Sequence, residues 1–278
     1  MRELYPKRFE ESNKGDYGKV LCIAGSKGMS GAAYLASRAA YSVGAGLVKI
    51  YTHEDNRIPL QVLIPEAIVE AYTDFNEKEL LENIKWASVV IIGPGLSTST
   101  IANEIIISTL KNIGNKPIVI DADGLNILAQ EHLNSLKGLT KDNWVLTPHL
   151  MEASRLLNTD IDNIIPNKKQ AVSLLEKEYN GTIVLKSHQT LVYQAGHQLY
   201  ENNTGNSSMA KGGSGDVLSG VIGGLIAGGL STFDGSKLGV FVHGKAGDFA
   251  RSTLGEYSVL ARDIICNIPN VMRERLDF

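Results

Sequence analysis

Cysteine is scarce in this 278-residue chain, and the only two, Cys22 and Cys266, are too few for the disulfide frameworks that staple small exported domains. Both lie among apolar neighbours and are expected to be small, buried residues of a reduced, cytoplasmic protein. No leader peptide is expected either, because Arg2, Glu3, Lys7, Arg8 and Glu10 fall where a signal sequence would place its apolar stretch. No apolar run approaches the roughly 20 residues that a bilayer requires, so no membrane partner is expected. The six histidines are dispersed, and no Cys or His spacing matches a structural metal site. A protein-held metal is therefore not expected. With 27 basic against 30 acidic residues, scattered along the chain, there is no electrostatic footprint for nucleic acid. Repeats and low-complexity tracts are absent as well.

Glycine, by contrast, is abundant, and its densest stretch runs from Asn206 to Gly229. Gly212, Gly213 and Gly215 supply three of four consecutive positions and interrupt any hydrophobic period. From Val217 on, Leu218, Val221, Ile222, Leu225 and Ile226 recur on one helical face, which starts a helix at Ser214 or just after. A helix start leaves backbone N–H groups without partners, and glycines before it let the chain close around an anion. The N–H groups of Gly213, Ser214, Gly215 and Asp216 thus form a candidate anion hole. Asp216, in the first turn, is placed to take a proton from a hydroxyl that attacks a phosphoryl group held beside it. The plainer alternative is an acidic residue at a helix start and nothing more. Gly220, Gly224 and Gly228 each cost about 1 kcal/mol against alanine in a helix, so their thin face calls for close approach by another helix or a bound group.

Elsewhere short apolar runs alternate with helical patterns. Strands are expected at 19–24, 47–51, 65–71, 89–92, 117–120, 144–147 and 182–185, with a hairpin about Ala195 and Gly196. Helices are expected at 32–43, 77–84, 101–110, from 125, at 151–157, 167–179, 237–251, and from 258 to the end. That order predicts one domain over 1–278, a three-layer α/β/α fold with a mostly parallel central sheet. In such a sheet ligands gather outside the carboxyl ends of the strands. The unusual residues sit at those ends: Gly25, Gly28 and Gly31, Gly93-Pro94-Gly95, Asp121 and Asp123, His149, Lys186, and the stretch before Asp216. Each has a plainer reading as a turn, a helix cap or a solvated strand end. His243, inside a helix, reads as packing.

The set as a whole resembles a known family. Lys14-Gly15-Asp16-Tyr17-Gly18, Ala24-Gly25-Ser26, Ser30-Gly31-Ala32-Ala33, Gly93-Pro94-Gly95-Leu96, Ile120-Asp121-Ala122-Asp123, Leu146-Thr147-Pro148-His149 and Ala210-Lys211-Gly212-Gly213-Ser214-Gly215-Asp216 are similar, in that order, to the ADP-dependent NAD(P)H-hydrate dehydratases of the ribokinase-like superfamily. The resemblance implies a lyase of nicotinamide-nucleotide repair, which uses ADP or ATP with Mg²⁺ to return (6S)-hydrated NAD(P)H to NAD(P)H. It further implies that Asp216 is the catalytic base. Ala32, Ala33, Gly95 and His149 would meet the hydrated dinucleotide, and Lys186, Ser187, His188, Gln189, Thr190 and Gly215 the adenine nucleotide. Ser187 is a departure, since Lys-Gly is the pattern expected there. Also implied are a homo-oligomer, with the tetramer as a form common in the family, and epimerisation of the R hydrate by a separate protein, with no epimerase domain in this chain. The rival reading is an ATP-dependent kinase of the same superfamily acting on a hydroxymethylpyrimidine, thiazole or sugar alcohol.

Overall fold

Residues 1–130 and 142–273 are described by the computed structural model. In chain order they form β1 (Lys19–Ile23), α1 (Ser30–Ser42), β2 (Leu47–His53), α2 (Arg57–Leu63), β3 (Ile68–Tyr72), α3 (Glu77–Trp86), β4 (Val89–Ile92) and α4 (Thr100–Asn112). There follow β5 (Ile118–Ile120), α5 (Asp123–Gln130), β6 (Trp144–Leu146), α6 (Leu150–Leu156), α7 (Ile161–Ile164), α8 (Lys168–Tyr179) and β7 (Thr182–Leu185). The chain closes with β8 (Leu191–Tyr193), β9 (Tyr200–Glu201), α9 (Ser214–Ala227), α10 (Thr232–Leu254) and α11 (Ala261–Arg273). The last residues of the helix expected to end the chain lie outside the described ones.

One nine-stranded sheet, ordered β3-β2-β1-β4-β5-β6-β7-β8-β9, runs parallel from β3 to β7 and antiparallel through β8 and β9. Its strands are short apolar runs buried on both faces, and alternate side chains enter different layers. Leu21, Ile23, Val90, Ile92 and Ile120 pack toward the layer of α3, α4, α5, α6 and α8. Val20, Cys22, Val89, Ile91 and Val119 pack toward α1, α2, α9 and α10. Three layers result, as the alternation of elements predicts. The winding reverses between β1 and β4, so the crevice at their carboxyl ends is the natural ligand position.

The glycines of α9 explain how that layer closes. A Cβ on Gly220 would start 2.1 Å from the Ala36 carbonyl oxygen, and one on Gly224 would start 2.7 Å from that of Ala40. The thin face is thus spent on α1 of the same chain, which removes it as an argument for oligomerisation. Gly235 and Gly239 of α10 admit Ile226 and Ile222 in the same way. Because small residues carry that contact, the hydrophobic pattern of α10 is faint at its start, and the helix begins at Thr232 rather than 237.

Other expectations shift. The 65–71 strand begins only at Ile68, because Ala67 N–H donates back to the Ile64 carbonyl in a turn. Helices α2 and α7, seven and four residues long, were too short to leave a period. Cys22 is buried, but Cys266 is exposed. Ile264, Ile265, Ile268 and Val271 occupy the buried face of α11, and one residue's rotation carries Cys266 off it. Among the described residues no helix is long and apolar enough to cross a membrane.

Candidate active site

Five strand ends, those of β1, β4, β5, β6 and β7, and one helix start converge at the carboxyl rim. After β1, Gly25 and Gly28 adopt φ of 81°, and Gly25 N–H donates to the Pro94 carbonyl, tying this loop to the one after β4. Gly93, at φ 118°, lies so close to the Asp121 carbonyl that a Cβ would meet it at 1.9 Å. Gly95 faces Ala32, whose methyl would lie 2.8 Å from a Cβ at that glycine. Ala32 and Gly95 therefore share one patch. Ala33 is fully buried and its methyl faces Gly25, so it packs behind the glycine loop and is not exposed on the rim. Two non-glycine residues, Ser97 at φ 65° and Ala122 at φ 48°, take the left-handed conformation beside this patch, a strain that clusters at functional positions.

Asp121 and Asp123, two residues apart, do different work. Asp123 accepts the Ser97 N–H at 2.7 Å and so braces the loop after β4; it does not cap its own helix. Asp121 is 1 % exposed, accepts the Lys186 ammonium at 2.6 Å and the Ser219 hydroxyl at 2.7 Å, and is thereby committed within the protein. Burial alone would raise its carboxyl, but Lys186 overcomes that and holds it below the ordinary carboxylate range. Lys186 is also 3.8 Å from Glu152, and despite burial these carboxylates hold its ammonium above its usual value. Glu152 was not anticipated. Burial raises it to about 7, and it accepts the His149 N–H at 2.8 Å.

His149 is both cap and wall. Its Nδ1 accepts the N–H groups of Met151 and Glu152, closing a capping box at the start of α6. Those bonds put the ring proton on Nε2, and the ring borders a cavity of about 840 Å³. Burial lowers its pKa, with Lys186 adding to the effect, so the ring is neutral at physiological pH.

Lys186, Ser187, His188, Thr190, Ser214 and Gly215 line the same cavity, with the segment from Thr204 to Gly212 opposite. Gln189 does not join them; it borders a separate groove with Lys169, Leu191 and Glu201. His243 does join them, against the expectation of mere packing. Its Nε2 lies 3.4 Å from the Ser214 hydroxyl, and burial lowers its pKa to about 4, keeping it uncharged. A lone helical histidine carries no sequence signal for such a position.

At the start of α9, Gly213 takes φ 90°, and a Cβ there would strike Leu35 at 2.5 Å. Ser214 N–H donates to the Lys211 carbonyl at 3.3 Å, whereas the N–H groups of Gly213, Gly215 and Asp216 find no acceptor among the described residues. Three donors thus remain open where four were expected. A side chain at Gly215 would begin 3.5 Å from the Lys186 ammonium, so the open turn faces that cation. Asp216 stands beside it without a hydrogen-bond or ion-pair partner among the described residues. Burial, then repulsion from Asp121, raises its carboxyl to about 7, with Lys186 opposing and Asp123 reinforcing the rise. A carboxylate so placed is a base matched to neutral pH.

The family model for NAD(P)H-hydrate dehydratase matches residues 20–270, which takes in every element of this rim.

The chain belongs to the NAD(P)H-hydrate dehydratase family.

It is 39% identical over 220 residues to the bifunctional NAD(P)H-hydrate repair enzyme of Coxiella burnetii, covering 79% of this chain and 43% of that one. It is also 39% identical over 219 residues to the ADP-dependent (S)-NAD(P)H-hydrate dehydratase of Listeria monocytogenes, covering 78% and 74%. The ADP/ATP-dependent NAD(P)H-hydrate dehydratase of Bacillus subtilis, co-crystallised with ATP and Mg²⁺, superposes with a TM-score of 0.84 at 25% identity, covering 99% and 95%. This chain spans under half the length of the bifunctional relative. The ribokinase-like architecture expected of the family is the one observed.

Proposed function

We propose that this protein dehydrates (6S)-hydrated NAD(P)H to NAD(P)H at the expense of ADP or ATP, with AMP and phosphate as the other products when ADP is used. The observation that carries the reading is Asp216: a half-buried carboxylate with no hydrogen-bond or ion-pair partner among the described residues, raised to about 7, next to open amide donors and a cavity of about 840 Å³. The Listeria and Bacillus relatives, named for this reaction with ADP or ATP, support it.

The chemistry follows from a leaving-group problem, because hydroxide departs poorly and a phosphate ester departs well. Asp216 takes the proton of the C6 hydroxyl as its oxygen attacks the terminal phosphoryl group, and the bond to the nucleotide breaks. The N–H groups of Gly213, Gly215 and Asp216 hold the negative charge on the transferring oxygens. The ring nitrogen's lone pair then expels phosphate from C6, and loss of a proton from C5 restores the double bond. The hydrated dinucleotide is assigned to Ala32, Ala33, Gly95 and His149, and the adenine nucleotide to Lys186, Ser187, His188, Thr190 and Gly215.

Among the described residues no three carboxylate, imidazole or thiolate groups converge on a metal position. The donor set therefore fits Mg²⁺ carried in on the nucleotide's phosphates, where it would screen their charge, and not a protein-held ion. We assign all of the chemistry to a single domain, and the R-hydrate epimerisation to a different domain or protein. A cytoplasmic location accords with its two unpaired cysteines. The exposed Ile58, Val62 and Leu63 on α2 support a homo-oligomer, with the tetramer as the form to test by light scattering.

The test is incubation with S-hydrated NADH and ADP or ATP in parallel. Recovery of absorbance at the reduced-nicotinamide band, with stoichiometric phosphate, is expected. A stable phosphorylated pyrimidine, thiazole or sugar alcohol formed from ATP, with no such recovery, would establish the rival kinase instead.

A further inference from the structure

The wall of the cavity facing Lys186 is the segment from Thr204 to Gly212, which contains one short 3-10 turn, Ser207–Met209, and no strand. Its shape comes from α10. Gly244 and Gly247 leave that helix bare enough for the segment to lie on it: a Cβ on Gly244 would strike Thr204, and one on Gly247 would strike Met209 Sδ. One charged group then grips it. The Asp248 carboxylate accepts the Gly205 N–H at 3.2 Å on one oxygen and the Asn206 side-chain amide at 2.7 Å on the other. The Asn206 carbonyl oxygen in turn accepts the Ser208 N–H at 3.1 Å and the Ser208 hydroxyl. Ser208 is 4% exposed, so the chain of bonds ends inside the fold. Five residues further on, Gly213 starts the anion-binding turn.

We propose that Asp248 is a positioning residue for nucleotide binding, holding the Asn206-Ser208 turn as one wall of the nucleotide cavity while touching no reacting atom. The inference rests on the reading of that cavity as the nucleotide site. The cavity that this segment walls includes His149 but neither Ala32 nor Gly95, so its loss should weigh on the nucleotide before the hydrated dinucleotide. Charge-assisted bonds to a carboxylate are among the stronger hydrogen bonds, and the shape of a strand-free loop depends on them.

The geometry supplies its own control. In Asp248→Asn, the new amide group opposes one of the two donors it must face. In Asn206→Asp, two carboxylates meet at the former hydrogen bond. In the reciprocal swap Asp248→Asn with Asn206→Asp, the amide donates to the new carboxylate, the remaining amide oxygen accepts Gly205 N–H, and the second carboxylate oxygen still accepts from Ser208. Every bond has a donor and an acceptor again.

The experiment measures ADP binding by titration calorimetry, and KM for ADP and for the S hydrate, in the full chain. Each single variant is expected to weaken ADP binding by about tenfold or more with the hydrate KM unchanged, the scale of a lost hydrogen bond to a charged group, and the swap to restore it. Single variants that bind ADP like wild type, a loss shared equally by the hydrate, or a swap no tighter than the singles would each overturn the assignment. Should a single variant fail to fold, the swap decides: it folds and binds ADP if the pairing is as described, and stays defective if not. A wild-type protein that binds ADP but leaves the hydrate untouched ends the dehydratase reading while this pairing stands. One that binds no ADP removes the positioning role with the site itself.

Discussion

The end of β5 and the start of α9 each bring one aspartate to the same rim, and the protein treats the two in opposite ways. Asp121 receives the Lys186 ammonium and the Ser219 hydroxyl and is held below the ordinary carboxylate range. Asp216, also shielded from water, receives neither, faces the charge of Asp121, and is raised to about 7. One cation shared among Asp121, Glu152 and Asp216 goes to the first, and the last keeps the rise that burial gives it. Burial raises both carboxyls, and what separates them is which one holds Lys186.

The sharpest way to break the contrast is Asp216→Asn, which keeps the shape and removes the proton acceptor. Its turnover should fall by at least about two orders of magnitude, the usual scale for a lost general base, while calorimetry finds ADP bound as before. Near-normal turnover would remove the mechanism.

Asp121→Asn reassigns the cation. Removing one member of a buried ion pair costs about 3–5 kcal/mol, which a denaturation curve will register. With Asp121's repulsion gone and Lys186 released toward it, Asp216 should become more acidic. The rising limb of the pH profile should then move to lower pH, with a plateau rate lower on the order of tenfold, as expected of a weaker base. A limb that stays in place would mean that burial alone, and not the partition of Lys186, sets Asp216.

With Asp216 as the base proposed above, its ionised form would be the active one, so kcat/KM should rise with pH and level off above about 7, falling about tenfold per unit below it. Glu152 titrates in the same region, also near 7. Glu152→Gln should therefore keep the limb, and its disappearance in that variant would transfer the titration to Glu152.

The smallest effect concerns stability. The fold raises Asp216 above its unfolded value, so the ionised carboxylate destabilises the native state, increasingly as pH rises from the ordinary carboxylate range to about 7, and by a constant amount above that. Asp216→Asn should accordingly melt a few degrees higher than wild type above about pH 7, with the gap closing in acid. An Asn variant that melts lower at neutral pH would show that the carboxylate is stabilised by a partner.

Much of this was legible beforehand because its signals are local. The buried strands at Val89–Ile92 and Thr182–Leu185 have the bounds that their apolar runs suggest, and the helix begins at Ser214, just ahead of its apolar period. Short elements such as α2 were missed because seven residues do not make a period. The Lys14 to Gly18 motif read as part of the functional set, yet it packs elsewhere: Gly18 abuts the Ala227 carbonyl and Gly46 the Lys14 carbonyl, sealing β1 and β2 against the carboxyl end of α9. Glu152 and Asp248 escaped notice and His243 read as packing, since a single polar residue in a helix announces nothing about what lies across from it.

Sequence alone determined the order of strands and helices, the glycine-rich turn and the family, because backbone propensity and apolar periodicity act over a few neighbouring residues. Tertiary structure alone decided that Lys186 pairs with Asp121, 65 positions away, and that Asp216 has no such partner among the described residues. Electrostatics depends on distance through space and on the water excluded between groups, and neither quantity exists until the chain has folded.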